Sequence, residues 1–333
     1  MGSGTQDILL TDERLNFYGK LVMPAPTQLY AAAVRKARKD IFCDGYTMGG
    51  GAISGALIRH EEKYRVMMTP DAARTIRDDL EQVKARGIEV GTEGDMKKPY
   101  LKLTLRDVDM ASFKEAFTGM GYSFPEKPAV AVAVQDHGVA PKGVSDRQFR
   151  FGQFGRKIKK GATFRDFVFT KKTPEFSRVS AVIQSLNDEG YEDVLVMDTK
   201  IAGIFGGLHG EPLPAVAIDV GNGHTTAATV AEDGTIVGVF ETHTADLTPK
   251  KMARYVRKLA DGTLTNGEIF DEGGHGAFIR EPVTPKAVIA TGPRRDMALK
   301  MKMKMPVRPA SPLDDVYMAG PVGMAGAYKA LYH

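Results

Sequence analysis

The chain has 333 residues, of which 43% are apolar and 26% are charged, a balance typical of a folded globular protein. Its formal charge of +4 is too weak to indicate nucleic acid as a partner, and its single cysteine excludes both an intramolecular disulfide and a cysteine-rich metal site built from one chain. Because it has neither a basic and apolar leader nor about 18 successive apolar residues, we expect a cytoplasmic protein without a membrane partner.

The first half of the chain alternates between strand-like and helix-like patterns. The predicted elements are a strand at 8–10, a helix at 28–39, a strand at 40–43, a helix at 52–62, a strand at 64–68, helices at 69–86 and 109–118, a strand at 129–134, a helix at 175–187, a strand at 193–197 and a helix at 199–208. Strands that alternate with helices indicate an α/β fold with a mostly parallel or mixed sheet. The less regular residues 136–175 are interpreted as a long functional loop or an inserted subdomain.

The second half opens on three successive strand-like segments. Strands at 215–220, 224–230 and 235–241, with the turn signal Asp233-Gly234 before the last, predict antiparallel hairpins. A helix at 248–260, strands at 287–290 and 316–318 and a helix at 322–331 follow. The Lys/Met alternation at 300–305 is interpreted as an edge strand or a packing surface, with a contact to a partner as the alternative.

The stretch AVAIDVGNGHTT at 215–226 indicates a phosphate site. Its buried strand delivers Asp219 to a turn in which Gly221 and Gly223 let backbone N–H groups form an anion nest. Asp219 can bind the hydrated magnesium that accompanies a nucleotide or orient an attacking water. Thr225 and Thr226 can donate their hydroxyls to phosphate.

The opening residues repeat this pattern. GSGTQ at 2–6 is again Gly-x-Gly followed by a polar pair, and the strand after it runs into the acidic turn Asp12-Glu13, as the later strand runs into Glu232-Asp233-Gly234. Two such hairpins suggest an internal duplication in which each lobe carries one phosphate-binding hairpin.

These motifs resemble those of the actin-like ATPase superfamily, which includes actin, heat-shock chaperone ATPases and sugar kinases. IDVGNGHTT at 218–226 resembles its second phosphate hairpin, and GSGTQ at 2–6 resembles its first. TKIAGIFGGL at 199–208 and VYMAGPVGMAGAYKAL at 316–331 resemble its two connecting helices, the second packed closely through Gly320, Gly323 and Gly326. VIATGPRRDMA at 288–298 resembles its adenosine motif.

The resemblance implies an α/β fold of two ribonuclease-H-like lobes, each a mixed sheet flanked by helices, with a nucleotide cleft between them. Residues 1–200 would form the N-terminal lobe and 201–320 the C-terminal lobe, and 321–333 would be a connecting helix that packs back toward the N-terminal lobe. The superfamily's first motif has an Asp just before the position where this chain begins at Met1, so we expect an upstream strand that ends in Asp in the natural protein.

The implied function is binding of ATP and Mg²⁺, with hydrolysis or phosphoryl transfer to an unidentified small substrate as the lobes close. The candidate catalytic residues are Asp219, Asp7, Asp136 and His137, and Asp219 is also the candidate metal ligand. The candidate nucleotide-binding residues are Gly2, Gly4, Thr5, Gln6, Gly221, Asn222, Gly223, Thr225, Gly292 and Arg294. The alternative is a non-catalytic nucleotide switch, activator or scaffold that has a protein partner or forms a homodimer.

The whole chain also resembles an uncharacterised prokaryotic family whose members sometimes carry the label of a pyruvate formate-lyase activating enzyme. The opening GSGTQDIL and the VQDHG at 134–138 carry this resemblance. Such activators hold an iron–sulfur cluster with three closely spaced cysteines, and the related dehydratase activators use two cysteines per chain. Cys43 stands alone, so we expect no radical activating chemistry.

Three further sequence patterns each allow two interpretations. The tract 47–51 is interpreted as a helix entry that needs glycine for close packing, with a substrate-phosphate cradle as the alternative. His209, His224 and His275 each lie beside glycine, and their irregular separations favour flexible loop histidines over a zinc site. The basic run at 147–160 is interpreted as a solvated face rather than a nucleic-acid stripe.

Overall fold

The computed structural model describes residues 2, 4–12, 14, 16–310 and 312–332. Over these residues the chain is a mixed α/β protein with several sheets and no closed barrel, which confirms the predicted α/β class. Contacts group the chain into two compact units, each discontinuous in sequence. The first unit contains 1–6, 23–139 and 169–196, and the second contains 7–22, 140–168 and 197–333.

The elements agree in outline with the sequence patterns. The strands are β1 (Thr5–Thr11), β2 (Phe17–Pro24), β3 (Asp40–Gly45), β4 (Val66–Met68), β5 (Glu89–Val90), β6 (Tyr100–Leu105), β7 (Val130–Val134), β8 (Val194–Asp198), β9 (Ala215–Val220), β10 (His224–Val230), β11 (Ile236–His243), β12 (Gly276–Ile279), β13 (Val288–Thr291) and β14 (Val307–Pro309). The helices are α1 (Pro26–Lys36), α2 (Gly51–Glu61), α3 (Pro70–Ala73), α4 (Leu80–Lys84), α5 (Met110–Gly119), α6 (Asp146–Lys159), α7 (Ser177–Asp188), α8 (Thr199–Gly207), α9 (Pro249–Ala260), α10 (Asn266–Phe270), α11 (Asp296–Leu299) and α12 (Ala319–Tyr332).

The first unit is built on a parallel sheet in the order β5-β4-β3-β6. The middle residues of β3, which include Ile41 and Cys43, are fully buried, as expected for a strand covered on both faces. Ile53 and Leu57 of α2 pack into the same core. The core of this unit therefore lies against its parallel sheet.

The second unit is built on a six-stranded sheet in the order β12-β11-β10-β9-β13-β14. The strands β9 to β12 form antiparallel pairs with one another, whereas β13 runs parallel to β9 on its other side. This confirms the predicted hairpins. Because Thr291 at the end of β13 pairs with Asp219 near the end of β9, the turns after both strands lie at one edge of the sheet.

Several local predictions are wrong. The helix expected at 69–86 is divided into α3 and α4, because the side chain of Asp79 accepts a hydrogen bond from Glu81 N at 3.0 Å and begins a new helix. The strand expected at 316–318 is a short 3₁₀ helix whose first turn is capped by Asp315, which accepts a 3.0 Å hydrogen bond from Tyr317 N. The strand expected at 300–305 is absent, but the alternative of a packing surface is confirmed, because Met301 is buried in the core of the second unit and Met303 and Met305 pack against it.

The segment 136–175 contains the helix α6. Ser145 caps this helix by accepting a hydrogen bond from Gln148 N at 3.2 Å. One face of α6 is buried through Arg150, Phe151, Phe154 and Ile158, while Arg156 on the same helix is exposed. The basic run therefore belongs to an amphipathic helix, and one of its arginines is internal.

Candidate functional site

Asp219 lies near the end of β9 and is enclosed by two glycines. A Cβ atom added at Gly203 of α8 would lie 2.9 Å from Asp219 Oδ2, and one added at Gly292 would lie 2.5 Å from Oδ1. Gly292 also has φ +90°, a backbone conformation that favours glycine. The carboxylate therefore has a close-fitting cradle that larger residues at these two positions would occupy.

Lys200 is the cation beside this carboxylate. Its Nζ lies 3.3 Å from Asp219 Oδ2 and donates a 3.0 Å hydrogen bond to the carbonyl oxygen of His224. Both charged side chains are only 12% exposed, so their attraction is screened less than that of a surface pair. Lys200 was not predicted from the sequence, although its place at the start of a helix after a buried strand was a usable signal.

The Gly-Asn-Gly turn joins β9 to β10 and leaves its tip exposed. Gly221 N donates to His224 O at 3.0 Å, and Thr244 Oγ1 donates to Gly221 O at 2.8 Å. Asn222 and Gly223 are exposed, and a Cβ added at Gly223 would meet nothing within 4 Å. The tip of the turn is therefore open to a ligand.

The two threonines after this turn are buried. Thr225 Oγ1 lies 2.9 Å from Thr244 Oγ1, and Thr226 Oγ1 donates to Glu241 at 2.8 Å. Both side chains are fully buried, so in this arrangement their hydroxyls hold the hairpin together.

The turn after β13 packs directly on the end of β9. Arg294 N donates to Val220 O at 3.0 Å, and a Cβ at Gly292 would lie 2.5 Å from the same carbonyl oxygen. Arg294 is exposed, as is Pro293 in the same turn. The structure thus brings the turn that contains Gly292 and Arg294 to the end of β9, beside Asp219, which is far from that turn in sequence.

The predicted residues at the start of the chain lie in and before β1. Gly2 N donates to Thr5 O at 3.0 Å, Ala25 N donates to Gly4 O at 3.0 Å, and Gln6 Nε2 donates to Pro24 O at 3.1 Å. Asp7 lies within β1. Met1, Ser3 and Glu13 lie outside the described residues.

The turn that follows β1 and the turn that follows β10 have a similar construction. The Asp12 carboxylate accepts hydrogen bonds from Arg14 N and Asn16 N at 2.9 and 2.8 Å. The Asp233 carboxylate accepts one from Thr235 N at 2.9 Å. An aspartate therefore closes each turn through backbone N–H groups.

Asp136 and His137 follow β7 in the first unit. Asp136 is buried, and its two carboxylate oxygens accept hydrogen bonds from Gly138 N at 2.8 Å and Val179 N at 3.0 Å. Burial raises the pKa of Asp136 despite these bonds. His137 is exposed. The geometry of Asp136 favours a role in joining the loop after β7 to α7.

The tract 47–51 is packed rather than open. A Cβ at Gly49 would lie 2.6 Å from a guanidinium nitrogen of Arg178, which pairs with Asp107 at 2.7 Å. A Cβ at Gly50 would lie 2.6 Å from the carbonyl oxygen of Thr75. These contacts support the interpretation that the glycines allow close packing at the entry to α2.

Three histidines of the second unit converge beside the same edge of its sheet. One possible ligand nitrogen from each of His224, His243 and His275 lies within 4.8 Å of the other two. His224 and His243 are direct cross-strand partners in β10 and β11. Two of the expected loop histidines thus belong to a compact cluster, which corrects that interpretation, whereas His209 is exposed just after α8.

Glu241 lies directly behind this histidine cluster. Its Oε1 is 2.8 Å from His275 Nδ1 and accepts a 2.7 Å hydrogen bond from Arg150. Burial opposes the charge of Glu241, but Arg150 and His275 outweigh it and hold the pKa of the carboxyl well below its usual range. Burial is also the main reason that the pKa of His224 is lowered to about 4, so this imidazole is neutral at pH 7.

The amino-acid sequence of the chain matches the model of a known protein family. The model of the family described as "Putative pyruvate format-lyase activating enzyme (DUF1786)" matches residues 48–297, and the chain belongs to this family. No curated protein matches the chain. No helix among the described residues combines the length and apolar character that crossing a membrane requires.

The residues of this chain do not fit the cluster that the family's description implies. Cys43 is the only cysteine and precedes the matched region, which therefore contains none. Its thiol is buried in β3, and burial together with the adjacent Asp44 raises its pKa to about 12. A thiol of this kind is a poor source of the thiolate that iron–sulfur clusters need.

Proposed function

We propose that the chain is a nucleotide-binding protein of the actin-like ATPase superfamily that uses ATP and Mg²⁺. The observation that carries the proposal is the Asp219 carboxylate, which is held between two glycines near the end of β9, beside a glycine turn with an exposed tip. Carboxyl ends of neighbouring parallel strands are a recurrent place for ligands in open α/β sheets.

The sheet of the second unit supports the finer fold assignment. A ribonuclease-H-like lobe has a three-stranded antiparallel meander with further strands added beside and parallel to its first strand, and β9 to β11 with β13 and β14 have that order. The crossing of α8 and α12 through glycine has the character expected of the superfamily's connecting helices. The division into lobes at 1–200 and 201–320 and the phosphate role of residues 2–6 stay predictions.

The residues around Asp219 suit the charges of a magnesium nucleotide. The exposed turn at Asn222 and Gly223 can offer backbone N–H groups to phosphate, and Asp219 can hold the hydrated cation. Lys200 supplies a positive charge next to Asp219 and to the glycine turn. The turn at 292–294 would lie beneath the base. Bound Mg²⁺ would neutralise phosphate charge during hydrolysis or transfer.

Binding of a fluorescent ATP analogue, measured with and without Mg²⁺, tests this proposal. We expect Asp219→Asn to weaken Mg²⁺-dependent binding at least about tenfold, the value of one charge-assisted contact. The matched control is Asp233→Asn, which changes the far turn after β10 and should bind like the natural protein. Absence of binding by the natural protein, or equal binding by both variants, would refute the site.

Phosphate release separates the activities that remain open. Turnover of ATP alone indicates an ATPase, and turnover only with an added metabolite indicates a small-molecule kinase. Binding without turnover favours the second candidate, a nucleotide switch that acts as an activator or scaffold.

A further inference from the structure

We propose that His224, His243 and His275 form a binding site for a divalent transition metal of the Zn²⁺ class. The proposal is independent of nucleotide binding. It rests on three imidazoles whose candidate ligand nitrogens lie within 4.8 Å of one another. Imidazole nitrogen is a preferred ligand of Zn²⁺ and its neighbours in the periodic table.

The spacing is close to what coordination requires. Tetrahedral Zn²⁺ with Zn–N bonds of about 2.0–2.1 Å places its nitrogen ligands about 3.3 Å apart. The rings are already adjacent, with centroid separations of 4.8 Å for His224–His243, 4.6 Å for His224–His275 and 5.3 Å for His243–His275. Coordination therefore requires the three nitrogens to come closer together by at most about 1.5 Å, which we expect from rotation of the imidazole rings.

The backbone presents two of these ligands from regular structure. His224 is the first residue of β10 and His243 the last of β11, and the two are paired in the strand register. His275 lies just before β12, and its backbone N–H donates to Glu241 O at 2.9 Å. Ligands held on hydrogen-bonded strands lose less conformational entropy on binding than ligands on a free loop.

Glu241 orients the third ligand from behind. Its carboxylate is fully buried, and its Oε1 lies 2.8 Å from His275 Nδ1. A carboxylate bound to the far nitrogen of a histidine is the arrangement that supports histidine ligands in many zinc sites. Arg150 and Thr226 hold the same carboxylate at 2.7 and 2.8 Å, so Glu241 has a fixed orientation.

The exposure of the histidines and the number of protein ligands indicate a metal that solvent can reach. His224 and His243 are half-buried, whereas His275 is only 3% exposed, so the cluster reaches the surface on one side. Three protein ligands leave at least one coordination position for water or another small oxygen ligand. The site is therefore of the open kind.

The test uses the full chain after removal of metal with a chelator. We expect Zn²⁺ titrated in a calorimeter to bind at one equivalent per chain, and Co²⁺ to give ligand-field bands of nitrogen coordination. His243→Ala changes a half-buried ligand and should weaken binding at least about tenfold, since even the loss of a supporting group costs about 10–100-fold. The exposed His209→Ala is the matched control and should bind like the natural protein. Circular dichroism checks that each variant is folded.

Two outcomes would overturn the site. One is that the natural protein fails to bind Zn²⁺ and Co²⁺. The other is that folded His243→Ala and His224→Ala both bind with unchanged affinity, which would place the ion elsewhere. The titrations contain no nucleotide and are repeated with Asp219→Asn, which should retain Zn²⁺. Failure of nucleotide binding and failure of metal binding are thereby distinguished.

Discussion

Arg150 is a charged residue whose side chain is completely buried. It belongs to a run that looks like a solvated basic face, yet its guanidinium pairs with Glu241 at 2.7 Å and Asp198 at 2.8 Å. It also lies 4.8 Å from the ring centroid of Phe154. Periodicity locates the buried face of α6, but the two carboxylates that make burial of this arginine possible come from distant strands.

Substitution of Arg150 should destabilise the fold strongly. Arg150→Met leaves two carboxylates without their buried cation, so we expect the free energy of unfolding to fall by about 3–5 kcal/mol. Arg156→Met, on the exposed face of the same helix, should change it by less than about 0.5 kcal/mol. Urea denaturation monitored by circular dichroism measures both. Equal stabilities would show that the buried pairs contribute little.

The crossing of α8 and α12 brings two helix backbones into very close contact. A Cβ at Gly206 would lie 1.8 Å from Ala319 O, and one at Gly323 would lie 2.0 Å from Ala202 O. The sequence predicts small residues on both helices but not which of them meet. Of the three glycines expected to pack closely, only Gly323 does so, because a Cβ added at Gly320 would meet nothing within 4 Å and one at Gly326 would make only ordinary contacts at 3.5 Å.

Two alanine substitutions on α12 should therefore have different effects on stability. Gly323→Ala forces the helix backbones apart, and we expect it to destabilise the protein by about 1–3 kcal/mol or more. Gly326→Ala gains helix propensity without a clash and should be neutral or stabilising by up to about 1 kcal/mol. Thermal and urea unfolding of the two variants check the difference. A Gly323→Ala variant as stable as Gly326→Ala would contradict this geometry.

The cysteine content of the whole chain argues against the chemistry that the family's description names. A radical activating enzyme needs three closely spaced cysteines, and this chain has one, buried in the first unit. The second unit instead collects carboxylates, histidines, Lys200 and Arg150 around one edge of its sheet.

Anaerobic incubation with ferrous iron and sulfide should consequently yield no iron–sulfur cluster. We expect the natural protein and Cys43→Ser to show the same visible absorption after removal of unbound iron, because a single buried thiol cannot supply the ligands. Iron and acid-labile sulfide analysis provides the stoichiometry. Cluster absorption in the natural protein that is lost in Cys43→Ser would overturn this expectation.

Much of the fold could be predicted because its signals are local. Apolar strand-like segments, turn residues and a helix-start signal indicate the α/β class, the hairpins around Asp219 and the helix at 248–260. The division of the helix at 69–86 was missed because its interruption depends on a cap at Asp79 inside a helix-like pattern. Counting outward from the turn at Asp233-Gly234 pairs His224 with His243 across the hairpin, so the sequence carries a local signal for this part of the histidine cluster.

The amino-acid sequence alone establishes that this chain is an α/β protein, that it lacks the cysteines of a radical enzyme, and that a glycine turn follows Asp219. The folded structure adds that Gly203 and Gly292 enclose Asp219 beside Lys200, and that His275 joins the paired histidines in front of Glu241. The physical reason is distance along the chain. Turns and strands depend on neighbouring residues, whereas these sites depend on strand order and register, which bring separate segments to one edge of a sheet.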